Sequence, residues 1–394
     1  MTLDVMAQAD RVIAKTYKRT PVVLTRGEGC TLWDETGKAY TDFMSGIAVC
    51  NLGHSHPRVA EALCDQAKVL WHVSNLYYTR PQTELASLLT ARCFADRVFF
   101  CNSGAEANEA AIKLSRKYFH DKGEKGRFRI VAMEKSFHGR TMAALSATGQ
   151  EKIKHGFSPI LEGFDFVPFG DMAALKKAVT DKTCAVLLEP IQGEGGVRCP
   201  EEGYLAAVRR LCDETGALLI FDEIQTGMGR TGTLFAHEQF GVSPDIMTLA
   251  KALGNGLPIG AMLATEAVAE AFGPGAHAST FGGTPIVTAA AVAVLKALEE
   301  ENVLARCRET GAYFMERLLW LKGRHGKVKD VRGRGLLLGM ELSVPAAPYV
   351  AACMDRGFLV NAIQDTMLRF VPPLIIGMDD IDRLMACLDE LLGE

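Results

Sequence analysis

The sequence predicts an α/β protein in which a large domain holds a mostly parallel sheet of about seven strands between helices, with a smaller α+β domain beside it. Three observations carry this. Short apolar runs alternate with helical patterns, as in successive βαβ units. The strongest runs, such as ALLIF at 217–221, are apolar throughout, which suits strands covered on both faces. The chain has 394 residues, more than the roughly 250–300 that a single core usually supports.

Near the start, the turn Arg26-Gly27-Glu28-Gly29 precedes the strand-like CTLWD, whose partner the sequence does not reveal. The first clear strand of the large sheet is 97–101, RVFFC. It feeds Asn102-Ser103-Gly104 and then AEANEAAIKLSRKYF, where helix formers dominate and Ala107, Ala111, Ile112 and Leu114 recur at helical spacing. Further strands are expected at 129–133, 164–167, 185–188, 217–221, 245–249 and 260–263, with helices between most of them. A long helix near 286–300 leads into VKDVRGRGLLLGMEL, a helix around 349–356, the runs FLVNAI and MLRFVPPL, and an amphipathic helix from Asp379. This last part reads as the second domain.

Composition narrows the partners. Hydrophobic residues at 48% and charged residues at 23% match an ordinary globular chain and argue against disorder. The 47 acids and 43 bases give a net charge of −4 without any block of five or six like charges, so small molecules are favoured over nucleic acid or a membrane surface. No stretch approaches the ~18 apolar residues of a membrane helix, and the opening residues lack a signal-like apolar run; a cytoplasmic protein is expected. The eleven cysteines are scattered from Cys30 to Cys387 without a C-x-x-C pair, which suits reduced, buried thiols. His54 and His56 crowd together in GHSHP but have no nearby cysteine or carboxylate set, so they read as loop histidines and no metal is expected.

The chemistry gathers where strands end. Asp222 directly follows the 217–221 strand, and ligands of open α/β sheets bind beyond the carboxyl ends of strands. Alone, it reads more readily as a surface acid. Twenty-nine residues later, however, another strand-like segment delivers Lys251 and then the glycine-rich ALGNGLPIGA. Burial there lowers a lysine pKa, leaving an amine able to condense with an aldehyde. Pyridoxal 5′-phosphate (PLP) needs such a lysine, a carboxylate facing its ring nitrogen and a phosphate cradle. Ser103-Gly104-Ala105, opening the helix at 106–119, offers free N–H groups for the cradle, although an ordinary serine cap reads the same way. In Ser136-Phe137-His138-Gly139-Arg140-Thr141, Phe137 can stack on a ring and Arg140 can clamp a carboxylate; a core aromatic and a solvated arginine are the plainer readings. Gly227-Met228-Gly229-Arg230-Thr231-Gly232 formally matches a dinucleotide fingerprint, but TLFAHEQF follows it where a helix should open, so it reads as a loop.

Taken together, GIAVCNLGHSHP from Gly46, CNSGAEANEAAIKLSRKY from Cys101, SFHGRT from Ser136, LEPIQGEGG from Leu188, IFDEIQTGMGRTG from Ile220, TLAKALGNGLPIGA from Thr248 and STFGGTP from Ser279 resemble the class III, ornithine-type aminotransferases of PLP fold type I over nearly the whole chain. The resemblance implies that Lys251 holds PLP as a Schiff base, Asp222 pairs with the ring nitrogen, and Gln225 reaches the ring hydroxyl. It further implies that Gly104 and Ala105 hold the phosphate, Phe137 stacks on the ring, and Thr280 contacts the phosphate bound by the other subunit of a homodimer whose active site is shared across the interface. Arg140 is implied as the clamp for a donor α-carboxylate, with Ser279 in the same pocket, and Glu194 with Arg369 as a switch pair that bares Arg369 only for 2-oxoglutarate. The expected division is a large domain at 55–303 and a small one formed by 1–54 and 304–394.

The reaction implied is transfer of the distal amine of an acyl-ornithine, N2-acetyl-L-ornithine, to 2-oxoglutarate, giving N-acetyl-L-glutamate 5-semialdehyde and L-glutamate as a step of arginine biosynthesis. Free ornithine, succinylornithine and 4-aminobutyrate remain alternative donors. A glutamate-1-semialdehyde aminomutase would need no counterpart of Arg369, and a PLP-binding protein without turnover would not need every catalytic position filled.

Overall fold

Seven apolar runs become the seven strands of one sheet in the computed structural model, which describes residues 4–393. They are β1 (Arg97–Cys101), β2 (Arg129–Met133), β3 (Phe164–Val167), β4 (Thr183–Leu188), β5 (Leu218–Asp222), β6 (Ile246–Leu249) and β7 (Gly260–Ala264), arranged in the order β1-β7-β6-β5-β4-β2-β3. β4 and β5 are buried along their whole length, as their unbroken apolar sequences require. β5 ends one residue later than expected, because Asp222 still pairs with Thr248 of β6.

The pairings of β3, β2, β4, β5 and β6 are parallel, whereas β7 runs antiparallel to both β6 and β1. β1 therefore points the same way as the parallel strands. Six carboxyl ends share one edge of the sheet, and β7 brings its amino end, Gly260, to that edge.

The helix α1 (Gly104–Asp121) begins at the carboxyl end of β1 and covers β6 and β7. Ser103 caps it, accepting the Glu106 N–H at 3.2 Å, and Glu106 in turn accepts the Asn102 N–H. Ala107, Ala110 and Ala111 on its inner face keep the helix close to the sheet, while Ile112 and Leu114 fill the space between. Burying a leucine of this kind contributes about 1.5–3 kcal/mol.

Beyond the long helices Pro285–Glu300 and Val303–Arg324, a four-stranded antiparallel sheet joins Val328–Arg334, Leu337–Leu342, Met367–Phe370 and Asn361–Ile363. The helix expected around 349–356 spans Ala347–Asp355, and the last helix runs from Met378 to Gly393. The partner missing for CTLWD is found here too. Leu24–Glu28, Thr31–Asp34 and Ala39–Asp42 form an antiparallel set, and Phe358–Leu359 adds to Ala39–Asp42 as a parallel fourth strand.

The glycine-rich 227–232 segment is a loop that no α-helix follows; a short 3₁₀ turn, Ala236–Phe240, comes next. Gly229 stands at φ 89°, and a Cβ there would press on Leu304 and Leu374. This turn places Arg230 with no exposed surface, where its guanidinium donates to the Leu336 carbonyl (2.9 Å), the Pro372 carbonyl (2.6 Å) and the Asn51 side chain (2.5 Å). Burial lowers its pKa to about 10, so it remains charged at neutral pH. One side chain thus fastens three distant parts of the chain.

Candidate active site

β6 delivers Lys251 at the shared edge in the left-handed region, at φ 46°. A left-handed conformation at a residue other than glycine costs on the order of 1–3 kcal/mol and persists only where the surroundings impose it. The next turns supply that constraint. Asn255, itself left-handed, accepts the Leu52 N–H at 2.9 Å and donates to the Gly53 carbonyl at 3.1 Å.

Lys251 opens on a cavity of about 440 Å³ whose walls come from every neighbouring strand end. Asp222 lies in the same cavity, as do Gly104 and Ala105 of α1, Phe137, Arg140, Glu194 and Gln225; Leu257, Pro258 and Ile259, which enter β7, close another side. Burial pushes the Lys251 amine toward its neutral form; Glu194 opposes this and Arg369 adds to it.

Asp222 is 3% exposed and held from behind. Its Oδ2 accepts from Nδ1 of His138 at 2.7 Å and from the Asn108 amide at 2.8 Å, while Oδ1 accepts the Ile224 N–H at 3.1 Å. Asn108 is fixed in turn, since it also donates to the His138 carbonyl and accepts the Thr248 hydroxyl. Asn108, His138 and Thr248 were not singled out from the sequence. The usable signal was an asparagine, a poor helix former, amid alanines in α1.

At the start of α1, Gly104 packs so closely on Ile224 that a Cβ would approach it to 2.6 Å, and the N–H groups of the first turn face the cavity end of the helix. Arg140 is exposed at the mouth, its guanidinium carbon 5.8 Å from the centre of the Phe137 ring. Glu194 forms an ion pair with Nη1 of Arg369, and Gln225 joins both, accepting from Arg369 at 3.2 Å and donating to Glu194 at 3.4 Å. Burial alone would raise the Glu194 carboxyl, but Arg369 outweighs it and holds the pKa below the usual value.

Ser279 and Thr280 lie outside this cavity within one chain, as Thr280 would if it serves the other subunit. Ser279, expected in the pocket of Arg140, does not line this cavity within one chain. The 279–282 turn is held by Asn75, which donates to the carbonyls of Ser279 and Gly282, and Asn102 lies between Ser279 and the cavity, donating to its hydroxyl at 3.2 Å. Thr280 lies in a neighbouring cleft with Ser74, Asn75 and Gln82. The loop histidines are also engaged: His54 pairs with Asp42 at 2.7 Å and His56 with Glu301 at 3.2 Å.

The family model of class-III aminotransferases matches residues 12–392. The chain belongs to the class-III aminotransferases. Among its relatives in this family, the acetylornithine aminotransferase of Methanothermobacter thermautotrophicus is 50% identical over 384 residues, covering 98% of this chain and 97% of that one. That of Caldanaerobacter subterraneus is 49% identical over 385 residues, with 98% of each chain covered. Solved aminotransferases share the architecture. The N-acetylornithine aminotransferase of Stenotrophomonas maltophilia superposes with a TM-score of 0.85 at 39% identity, covering 99% of this chain and 98% of that one. The ornithine aminotransferase of Toxoplasma gondii reaches 0.95 at 34% identity, covering 98% and 94%.

Proposed function

We propose that this aminotransferase uses PLP to move the distal amine of an acyl-ornithine, N2-acetyl-L-ornithine, to 2-oxoglutarate. The observation that carries the reading is the pairing, in one cavity, of a lysine driven toward neutrality with a buried carboxylate fixed by His138 and Asn108. The groups suit PLP chemically. Asp222 would face the ring nitrogen, the first-turn N–H groups at Gly104 and Ala105 would take the phosphate, Phe137 would cover the ring, Gln225 would approach its hydroxyl and Lys251 would bond its aldehyde carbon. When bound, PLP supplies a conjugated electron sink for the substrate carbon.

The protein's own work is positioning and proton transfer. With the cofactor bound, the Lys251 amine, which burial drives toward its neutral form, would take a proton from the substrate carbon as base and give it back as acid. Asp222, fixed by His138 and Asn108, would face the ring nitrogen and favour its protonated form. Arg140 at the mouth suits a donor α-carboxylate. Glu194 screens Arg369 while the donor is bound, and its withdrawal bares a guanidinium that grips a second carboxylate with a two-pronged bond. The donor assignment draws on the relatives named for acetylornithine; the Toxoplasma likeness keeps free ornithine as a second reading.

Thr280 would contact a phosphate held by the other subunit of a homodimer, which also gives Ser279 a place beside the substrate. Exposed Trp71, Leu76, Tyr77, Tyr78 and Phe281 around that cleft support such an interface. The division into 55–303 and 1–54 with 304–394 is supported by the strand pairing of Ala39–Asp42 with Phe358–Leu359. A cytoplasmic site of action fits the absence, among the described residues, of any helix long and apolar enough to cross a membrane.

The test is the visible spectrum of the PLP-loaded protein. A cofactor band that bleaches with N-acetylornithine and returns with 2-oxoglutarate supports both half-reactions. Bleaching by ornithine alone would transfer the assignment to that donor, and no band after added PLP would remove the cofactor reading.

A further inference from the structure

Glu189 follows β4 directly and is 5% exposed. Its two carboxylate oxygens are divided between two loops of the site: Oε1 accepts the Gly193 N–H at 3.1 Å and Oε2 accepts the Phe137 N–H at 3.3 Å. One loop carries Phe137 and Arg140; the other carries Glu194, the partner of Arg369. Gly193 is also packed without clearance against Gln225, so that any Cβ there would run into the amide that itself bonds Glu194 and Arg369. Burial pushes the Glu189 carboxyl up to about 7; His138 opposes the rise and Asp222 adds to it.

We infer that Glu189 is a positioning residue that clamps the backbone beneath Glu194 to the Phe137 loop, so that exchange between donor and acceptor moves the Glu194 side chain without moving the loop that bears it. This rests on the reading of Glu194 and Arg369 as the switch between the two substrates. A backbone N–H bonded to a carboxylate is held more strongly than one bonded to a neutral acceptor. Gln at 189 must turn its NH₂ group toward one of the two N–H groups and gives up one clamp. Asp keeps the charge but is one methylene too short to hold both loops.

The experiment compares single half-reactions of PLP-loaded wild type, Glu189→Gln and Glu189→Asp at pH 8.5, where the wild-type carboxyl is ionised. Bleaching of the band is followed with N-acetylornithine and its return with 2-oxoglutarate. The expected result for Glu189→Gln is a return rate constant at limiting 2-oxoglutarate reduced about ten-fold more than the bleaching rate constant, with Glu189→Asp intermediate. An equal loss in both directions, or no loss in a variant with wild-type melting, overturns the inference and leaves Glu189 a structural acid. Should Glu189→Gln not fold, the same comparison on the charge-conserving Glu189→Asp decides. Arg369→Lys serves as the control for the underlying reading: if it leaves the 2-oxoglutarate KM unchanged, the switch itself fails, whatever Glu189 does.

Discussion

Glu194 stands between Arg369 and the cavity. The guanidinium has no exposed surface, Nη1 is paired with the Glu194 carboxylate, and Nη2 has no hydrogen-bond partner among the described residues. A buried arginine with one arm unpaired is what the proposed switch between two carboxylates requires.

Replacing Glu194 tests this relation. Glu194→Ala leaves Arg369 bared at all times, so the donor half-reaction should fall while the KM for 2-oxoglutarate stays level or drops. Loss of the partner of a buried charge should also cost roughly 3–5 kcal/mol, read as a lower melting temperature; Glu194→Gln should cost less. A raised 2-oxoglutarate KM in either folded variant would contradict the arrangement.

Lys251→Ala should abolish turnover while PLP still binds, because Asp222 and the start of α1 are untouched. Equilibrium dialysis measures retained cofactor, and the steady-state assay measures the loss, expected to be at least of the order of 10²–10⁴ for removal of the proton-transferring group. Full activity in this variant would end the assignment of Lys251.

Arg230 bears on stability and not on chemistry. Arg230→Lys keeps the charge but cannot reach the Leu336, Pro372 and Asn51 acceptors together. Each buried group left unpaired costs about 1–3 kcal/mol, so a melting temperature lowered by several degrees is expected. Unchanged melting would mean that the guanidinium is dispensable.

His54 gives the fold a dependence on pH. Its hydrogen bond to Asp42, with a further bond to Cys50, raises its pKa from 6.5 to about 9. Because the folded value lies above the unfolded one, this contribution is complete below about pH 6.5 and is lost as pH rises through about 9. The difference in melting temperature between wild type and His54→Gln should therefore be large at pH 6 and small at pH 9.5. A constant difference would show that the charge on His54 plays no part.

The strands were legible because a strand covered on both faces leaves an unbroken apolar run, and the residues that end those runs, Asp222 and Lys251, do meet in one cavity. Direction was not legible. Nothing in Gly260–Ala264 distinguishes a strand running against its neighbours from one running with them, since both bury the same side chains. The support of Asp222 was hidden for another reason: Asn108 and Asp222 lie 114 positions apart, so their contact exists only once the sheet has formed. Glu189, by contrast, obeys the same rule that drew attention to Asp222, a charge directly after an apolar strand. The contact of Ser279 with Asn102 was hidden for the same reason, since 177 positions separate them.

The parallel pairing of Ala39–Asp42 with Phe358–Leu359 sets a timetable for biosynthesis. The early strand leaves the ribosome roughly 300 residues ahead of its partner, at ~5–20 residues per second. Until then its edge is open and the Arg230 acceptor at Pro372 does not yet exist. Closing so long a loop adds little to the equilibrium cost, since each doubling of length adds only about 0.6 kcal/mol. The burden is one of time: the nascent chain must carry a strand with one open edge through most of its own translation, and its final assembly waits for roughly the last tenth of the message.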